Sequence, residues 1–280
     1  MFKKIFLILL YCCWISTNIF CQPQAFNQTD TFQIDFIDVG QGDSELIKTA
    51  SGNYFLIDAN GDATQQYLAV KKIKNLTAIF LTHPHFDHYS GLASVINHEK
   101  IAHFYETGYP SSNKTFLQLL SQISQKNIPK TELKQGDRLT LDNLTLKILN
   151  PPLGFLKTHS PINDNSMVIK VSNRAGFSVL LLGDAETTAL DQNPFTSYLD
   201  SDILKASHHG SRTGINAHLL QIISPKAVII SVGQPNSYGH PHPQALAIYQ
   251  MAPVYRTDQN GTIHLAVTGN VYEIKNRNPK

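Results

Sequence analysis

Thr82-His83-Pro84-His85-Phe86-Asp87-His88 follows directly on the apolar run Ala78-Ile79-Phe80-Leu81. The run has the length and composition of a buried strand, so the polar stretch falls on the loop at its end. Three imidazoles and a carboxylate packed this densely would be costly to bury unpaired. Drawn together on a tight loop they suit a metal ion, because neutral imidazole and carboxylate ligate Zn²⁺ and related cations.

Working outward, three more clusters sit at the ends of apolar runs. Gly183-Asp184 follows 179–182, and a carboxylate there can bridge two metals or orient a ligand, although Gly-Asp is also an ordinary turn. Lys205-Ala206-Ser207-His208-His209-Gly210-Ser211 ends a second run, and Tyr238-Gly239-His240-Pro241-His242-Pro243 follows a third that ends at Val232. Seven of the twelve histidines fall in these clusters and the first, so they are expected to converge. Adjacent His208 and His209 point in different directions; one is expected to ligate and the other to support or shuttle protons. Lys205 could be a solvated strand end, or a cation that neutralises an anionic oxygen beside the metal. His240 and His242 could stiffen a proline-rich turn or donate a proton to a leaving group. Asp38 and Asp43 frame a Gly-rich loop, where turn chemistry is the alternative to a supporting role, and Asp58 is expected behind the ligands, fixing a loop or an imidazole tautomer. His98, His103, His218 and His264 belong to no motif.

Strands are expected over 32–39, 45–49, 54–59, 77–82, 144–149, 167–171, 177–182, 203–206, 227–232 and, closing the chain, 262–267. Helical spacing occupies 62–74, 117–123, 215–223 and 243–249. Hairpins come first and then alternate with helices, which predicts two packed β-sheets with helices outside. No fixed-period repeat or low-complexity tract interrupts the chain after residue 31, so one domain is expected over 32–280, behind a spacer over 22–31.

Composition narrows the classes. The 280 residues are 42% hydrophobic and 16% charged, enough apolar content for a packed core. Lys and Arg number 23 against 21 Asp and Glu, and the excess is Lys3 and Lys4. The rest is neutral overall, which argues against a nucleic-acid-coating protein or a polybasic membrane binder. Lys3 and Lys4 precede the apolar stretch 5–15, too short to span a bilayer, which takes about 20 residues, but suited to a secretory signal over 1–21 cut before Gln22. An exported protein, without stable membrane insertion after cleavage, is expected; an uncleaved anchor or lipidation at Cys21 are the alternatives. Cys12, Cys13 and Cys21 all lie in this leader, so the remainder has neither disulfides nor a thiol nucleophile.

His83-Pro84-His85-Phe86-Asp87-His88 resembles the HxHxDH signature of the metallo-β-lactamase superfamily. Phe36–Ser44, Leu56-Ile57-Asp58-Ala59, Asn165-Ser166, Leu182-Gly183-Asp184, His208–Ser211, Tyr238–Pro243 and Thr257–Thr262 are similar, in order, to blocks in the hydrolase domain of ComEC-type competence proteins. The resemblance implies a four-layer αββα sandwich with a metal centre at one edge. It implies that His83 and His85 hold one ion, Asp87 and His88 a second, and Asp184 bridges them, with His208 as a further ligand and His209 as its alternative. Zn²⁺ or Mn²⁺ would activate water for attack, with Asp87, Lys205, His209, His240 and His242 at the reacting centre and Asp38, Asp43, Asp58 and Asn165 in support. Asn163-Asp164-Asn165-Ser166 stands where most of the superfamily supplies another histidine, and nearby His159 could substitute. The implied substrate is a nucleic acid or other phosphodiester; an ester, lactone or β-lactam hydrolase and an inactive binding protein of the same fold are the alternatives. The resemblance does not extend to the multi-spanning channel of the competence proteins.

Overall fold

The computed structural model describes residues 30–192, 194 and 196–277. The leader expected over 1–21, the lipidation at Cys21 and most of the spacer lie outside the described residues.

Two sheets stack face to face. The first runs, edge to edge, through Val271–Arg277, Thr262–Thr268, Thr31–Phe36, Glu45–Thr49, Tyr54–Ile57, Ala78–Phe80, Phe104–Glu106 and Lys130–Glu132. The second runs through Val254–Arg256, Ala227–Ile230, Ile203–Lys205, Ser178–Leu181, Val168–Ser172, Leu144–Asn150 and Arg138–Leu141. Each sheet pairs antiparallel where hairpins connect its strands and parallel where helices do, as for Tyr54–Ile57 with Ala78–Phe80 and Ser178–Leu181 with Ile203–Lys205.

Period-two alternation divides the apolar residues between layers. Phe32, Ile34, Phe36, Ala78 and Phe80 meet Leu146, Ile148, Val179, Leu181 and Ile203 between the sheets. Their neighbours face outward: Leu56, Ile79 and Leu81 pack under Leu68, Val95, Ile96 and Phe116 from the helices Gly61–Val70, Leu92–His98 and Lys114–Gln125. Leu180, Leu182, Leu204 and Val228 pack under Leu219, Leu220, Ile223 and Tyr249 from Ala217–Ile223 and Pro243–Tyr249. This is the expected αββα sandwich.

Several elements were not expected. Thr262–Thr268 does not close the chain; Val271–Arg277 pairs with it along the sheet edge. Lys130–Glu132 is exposed along its length, and so carries no apolar signal. Its place at the edge of the sheet explains why, since an edge strand need bury neither face.

Candidate metal centre

Every strand-end cluster except the most peripheral residues opens at one edge of the sandwich. From the first sheet, Ala78–Phe80 delivers His83, His85, Asp87 and His88, the last three around the short helix Phe86–Tyr89. From the second, Ser178–Leu181 delivers Asp184, and Ile203–Lys205 delivers His208 and His209. Gly42 lets the Asp43 loop press against the metal loop: it has φ +144°, and a Cβ there would lie 2.5 Å from the Asp87 carbonyl oxygen.

Among the described residues four groups of side chains have ligand atoms within 4.8 Å of one another; two of them, His83, His85 and Asp184, and Asp87, His88 and His209, share no residue, while the other two join Asp43 to Asp184 and His209 and to Asp58 and His88. Asp184 serves both sides. Its Oδ2 is 3.7 Å from His83 Nε2, while its Oδ1 is 3.4 Å from His88 Nε2 and 3.8 Å from His209 Nε2. Tetrahedral coordination at about 2.0–2.1 Å separates ligand atoms by roughly 3.3 Å, so these spacings suit a shared cation.

The imidazoles are oriented for ligation from behind. His88 Nδ1 meets Asp58 Oδ2 at 2.7 Å, and Asp58 also accepts from the Thr82 N–H at 2.8 Å and the Thr82 hydroxyl at 2.6 Å. His209 Nδ1 is 3.0 Å from the Ser231 carbonyl oxygen and 3.2 Å from Asp43 Oδ1. Both rings therefore turn Nε2 inward, and those two atoms and Asp184 Oδ1 are buried without a hydrogen-bond partner. Three such orphans in one place are what a metal ion would satisfy.

Charge agrees. Burial holds His83 well below the usual imidazole range and His85 below it, which keeps both neutral and able to ligate. Burial opposes ionisation of Asp184, yet His88 and His209 hold it well below the usual carboxylate range. Burial likewise opposes protonation of His88 and His209, but Asp184 with Asp58 raises the first, and Asp184 with Asp43 raises the second to about 10. Clustered carboxylates thus pull positive charge into the site, and a divalent cation supplies it.

The two adjacent histidines divide. His209 joins Asp87 and His88, whereas His208 lies on the Oδ2 side of Asp184, its Nε2 3.8 Å from that oxygen and its Nδ1 3.3 Å from Glu186. Both have left-handed backbones, φ 49° and 54°, uncommon for residues other than glycine. Lys205 does not reach the cleft. On the inward face with Ile203, it is 1% exposed and pairs directly with Asp43. His242 lies beside the cleft, its Nδ1 accepting the Arg212 N–H at 3.1 Å. Among the supporting residues, Asp43 and Asp58 stand behind the imidazoles. Asp38 is exposed and caps its own turn, accepting from the Gly40 N–H at 3.3 Å. Asn165 clasps a loop through Leu156 and the Pro161 carbonyl.

A cleft of about 310 Å³ opens over the donors, lined by Gln41, His85, Phe86, Asp87, Asn163, Asp184, His208, His209, Tyr238 and His240. Asn163 fills the wall where another histidine was looked for, and its Oδ1 is buried without a partner; His159 is exposed and joins no donor group. Glu186, which no motif marked, lies 3.3 Å from His208 Nδ1. Asp58→Asn is expected to weaken metal affinity about 10- to 100-fold, since losing a partner behind a ligating histidine typically does so. Asn tolerates the residue's left-handed backbone, φ 54°. Titration of the metal-free protein checks this, and unchanged affinity would remove Asp58 from the support of His88.

Comparison with known proteins agrees with the fold. The chain is 29% identical to ComE operon protein 3 of Bacillus subtilis over 95% of its length, and 26% identical to Competence protein ComA of Neisseria gonorrhoeae over 79%. It spans 36% and 30% of those relatives' own lengths. The metallo-β-lactamase fold protein YhfI of Bacillus subtilis superposes with a TM-score of 0.59 at 12% identity, over 85% of this chain and 100% of YhfI. The family model for the metallo-β-lactamase superfamily matches residues 37–234, a span that takes in both donor groups from the first histidine to the last, and the chain therefore belongs to that superfamily.

Proposed function

We propose that the chain is an exported, metal-dependent phosphodiesterase that hydrolyses nucleic acid. The observation that carries the reading is the split of Asp184 between two donor groups at the floor of an open, polar cleft. His83, His85 and Asp184 would hold one ion, and Asp87, His88, His209 and Asp184 a second, Zn²⁺ or Mn²⁺ by donor chemistry. Bound there, such ions supply Lewis-acid activation of water and of a phosphoryl oxygen.

The chain's own residues do the rest. Asp58 and Asp43 hold the imidazoles of His88 and His209 in position. His240 lies on the cleft wall, where burial and then the neighbouring His208 and His209 lower its pKa to about 4. At neutral pH it is uncharged, and an anionic phosphodiester beside it would raise its pKa toward the range in which it protonates a leaving oxygen. Likeness to a competence protein favours DNA among phosphodiesters.

The test uses protein recovered outside the cytoplasm, expected to begin near Gln22, assayed for metal and against DNA, bis-p-nitrophenyl phosphate and nitrocefin. Hydrolysis of the two phosphodiesters, lost with EDTA and restored by Zn²⁺ or Mn²⁺, is expected. Turnover of nitrocefin alone, or metal-loaded protein inert to both phosphodiesters, would overturn the reading.

A further inference from the structure

Three aromatic side chains are exposed among the described residues, and two of them, Phe86 at 61% and Tyr238 at 63%, line this one cleft. A single exposed aromatic is ordinary, but two on the wall of a polar cleft leave apolar surface where a ligand must pass. They come from different layers. Phe86 opens the helix that follows Ala78–Phe80 in the first sheet, and Tyr238 lies on the loop after Ala227–Ile230 in the second. Each ring is braced. Phe86 meets Tyr89 edge-on, centroids 5.7 Å apart and planes at 81°. Tyr238 lies nearly parallel to His240, at 5.6 Å and 23°. Braced rings present a fixed face at little further cost in ordering.

We propose that Phe86 and Tyr238 stack on the nucleobases flanking the scissile phosphate, which makes the centre selective for unpaired nucleic acid. The inference rests on the phosphodiester reading above. The groups on either side of a phosphate in nucleic acid are nucleosides, and every base offers a π-face, so aromatic stacking binds without reading sequence. A base inside a duplex has both faces covered and must leave the stack before it can use these rings. The cleft of about 310 Å³ is at the small end of ligand pockets, which suits an extruded nucleotide rather than a helix. Stacking on one aromatic contributes roughly 5- to 150-fold in binding.

The experiment compares the metal-loaded full chain on single-stranded oligothymidylate and on an equally long chain of abasic tetrahydrofuran units joined by the same phosphodiesters. The wild type is expected to favour the base-bearing chain by about tenfold or more in kcat/KM, mostly through KM. Phe86→Ala/Tyr238→Ala should reduce that preference to within about threefold at unchanged metal content, and Tyr238→Phe should retain it. Both side chains are exposed, so the alanine variants remove no core packing. Equal cleavage of both chains by the wild type would leave the phosphodiester reading standing and overturn the stacking role. A preference that survives the double substitution also overturns it. Metal-loaded wild type that cleaves neither chain nor bis-p-nitrophenyl phosphate overturns both readings.

Discussion

Asp184→Asn is expected to lower hydrolysis by about 1,000-fold or more and to remove at least one ion per chain. Its two oxygens face different donor groups, Oδ2 at 3.7 Å from His83 Nε2 and Oδ1 at 3.4 Å from His88 Nε2. An amide keeps an acceptor on one side only and points an N–H donor at the other. Losing one preorganised electrostatic group typically costs about 100- to 1,000-fold, and here both donor groups lose together. Metal analysis of the purified variant, run beside bis-p-nitrophenyl phosphate hydrolysis, decides the matter. Full metal content with activity within about tenfold of wild type would take Asp184 out of the centre.

Lys205→Met is expected to destabilise the metal-free protein by about 3–5 kcal/mol, the usual cost of breaking a buried ion pair from one side. Both partners are almost fully buried, so removing the ammonium strands Asp43 without compensation. Burial pushes Asp43 up and Lys205 down, but their attraction wins in each case: Asp43 is held below the usual carboxylate range, and Lys205 above its ordinary value. A depressed acid stabilises above its unfolded pKa, and a raised base stabilises below its own. The pair therefore contributes fully between about pH 4 and pH 10, and its share is lost as pH falls through the depressed Asp43 value. Urea unfolding of wild type, Lys205→Met and Lys205→Met/Asp43→Asn at pH 7 provides the check. The double variant, with no stranded charge, should recover part of the loss. A single-variant loss under about 1 kcal/mol would mean that solvent reaches the pair.

The strand-end clusters were readable because hydrophobic alternation marks strands and polar residues at their ends have few structural reasons to gather. The same alternation makes Lys205 legible in hindsight, since it shares a face with Ile203 and so points between the sheets. What defeated reading was backbone conformation. Ser207-His208-His209-Gly210 gives no sign that both histidines are left-handed, so the choice between them could not be made from residue type. Asp38 and Asp43 flank one Gly-rich loop and look alike on paper; only the packing of Gly42 on Asp87 sends the second inward. Asn163 stood in a recognised block, but its place on the cleft wall depends on the helix Pro161–Asp164, whose single turn has too little periodicity to announce itself.

The order of strands in the first sheet sets the order in which a chain delivered from its N-terminus can finish folding. Thr31–Phe36, the first strand described, has Glu45–Thr49 on one side and Thr262–Thr268 on the other. Its second neighbour thus reaches it only after more than two hundred further residues have been delivered. Meanwhile His83, His85, Asp87 and His88 arrive well ahead of Asp184 and His209. A chain delivered from its N-terminus therefore lacks Asp184 and His209, two of its six donors, until late, and an incomplete site binds ions weakly. Loading is accordingly deferred until the second sheet has been delivered, and the ions available at that stage determine which metal the finished protein carries.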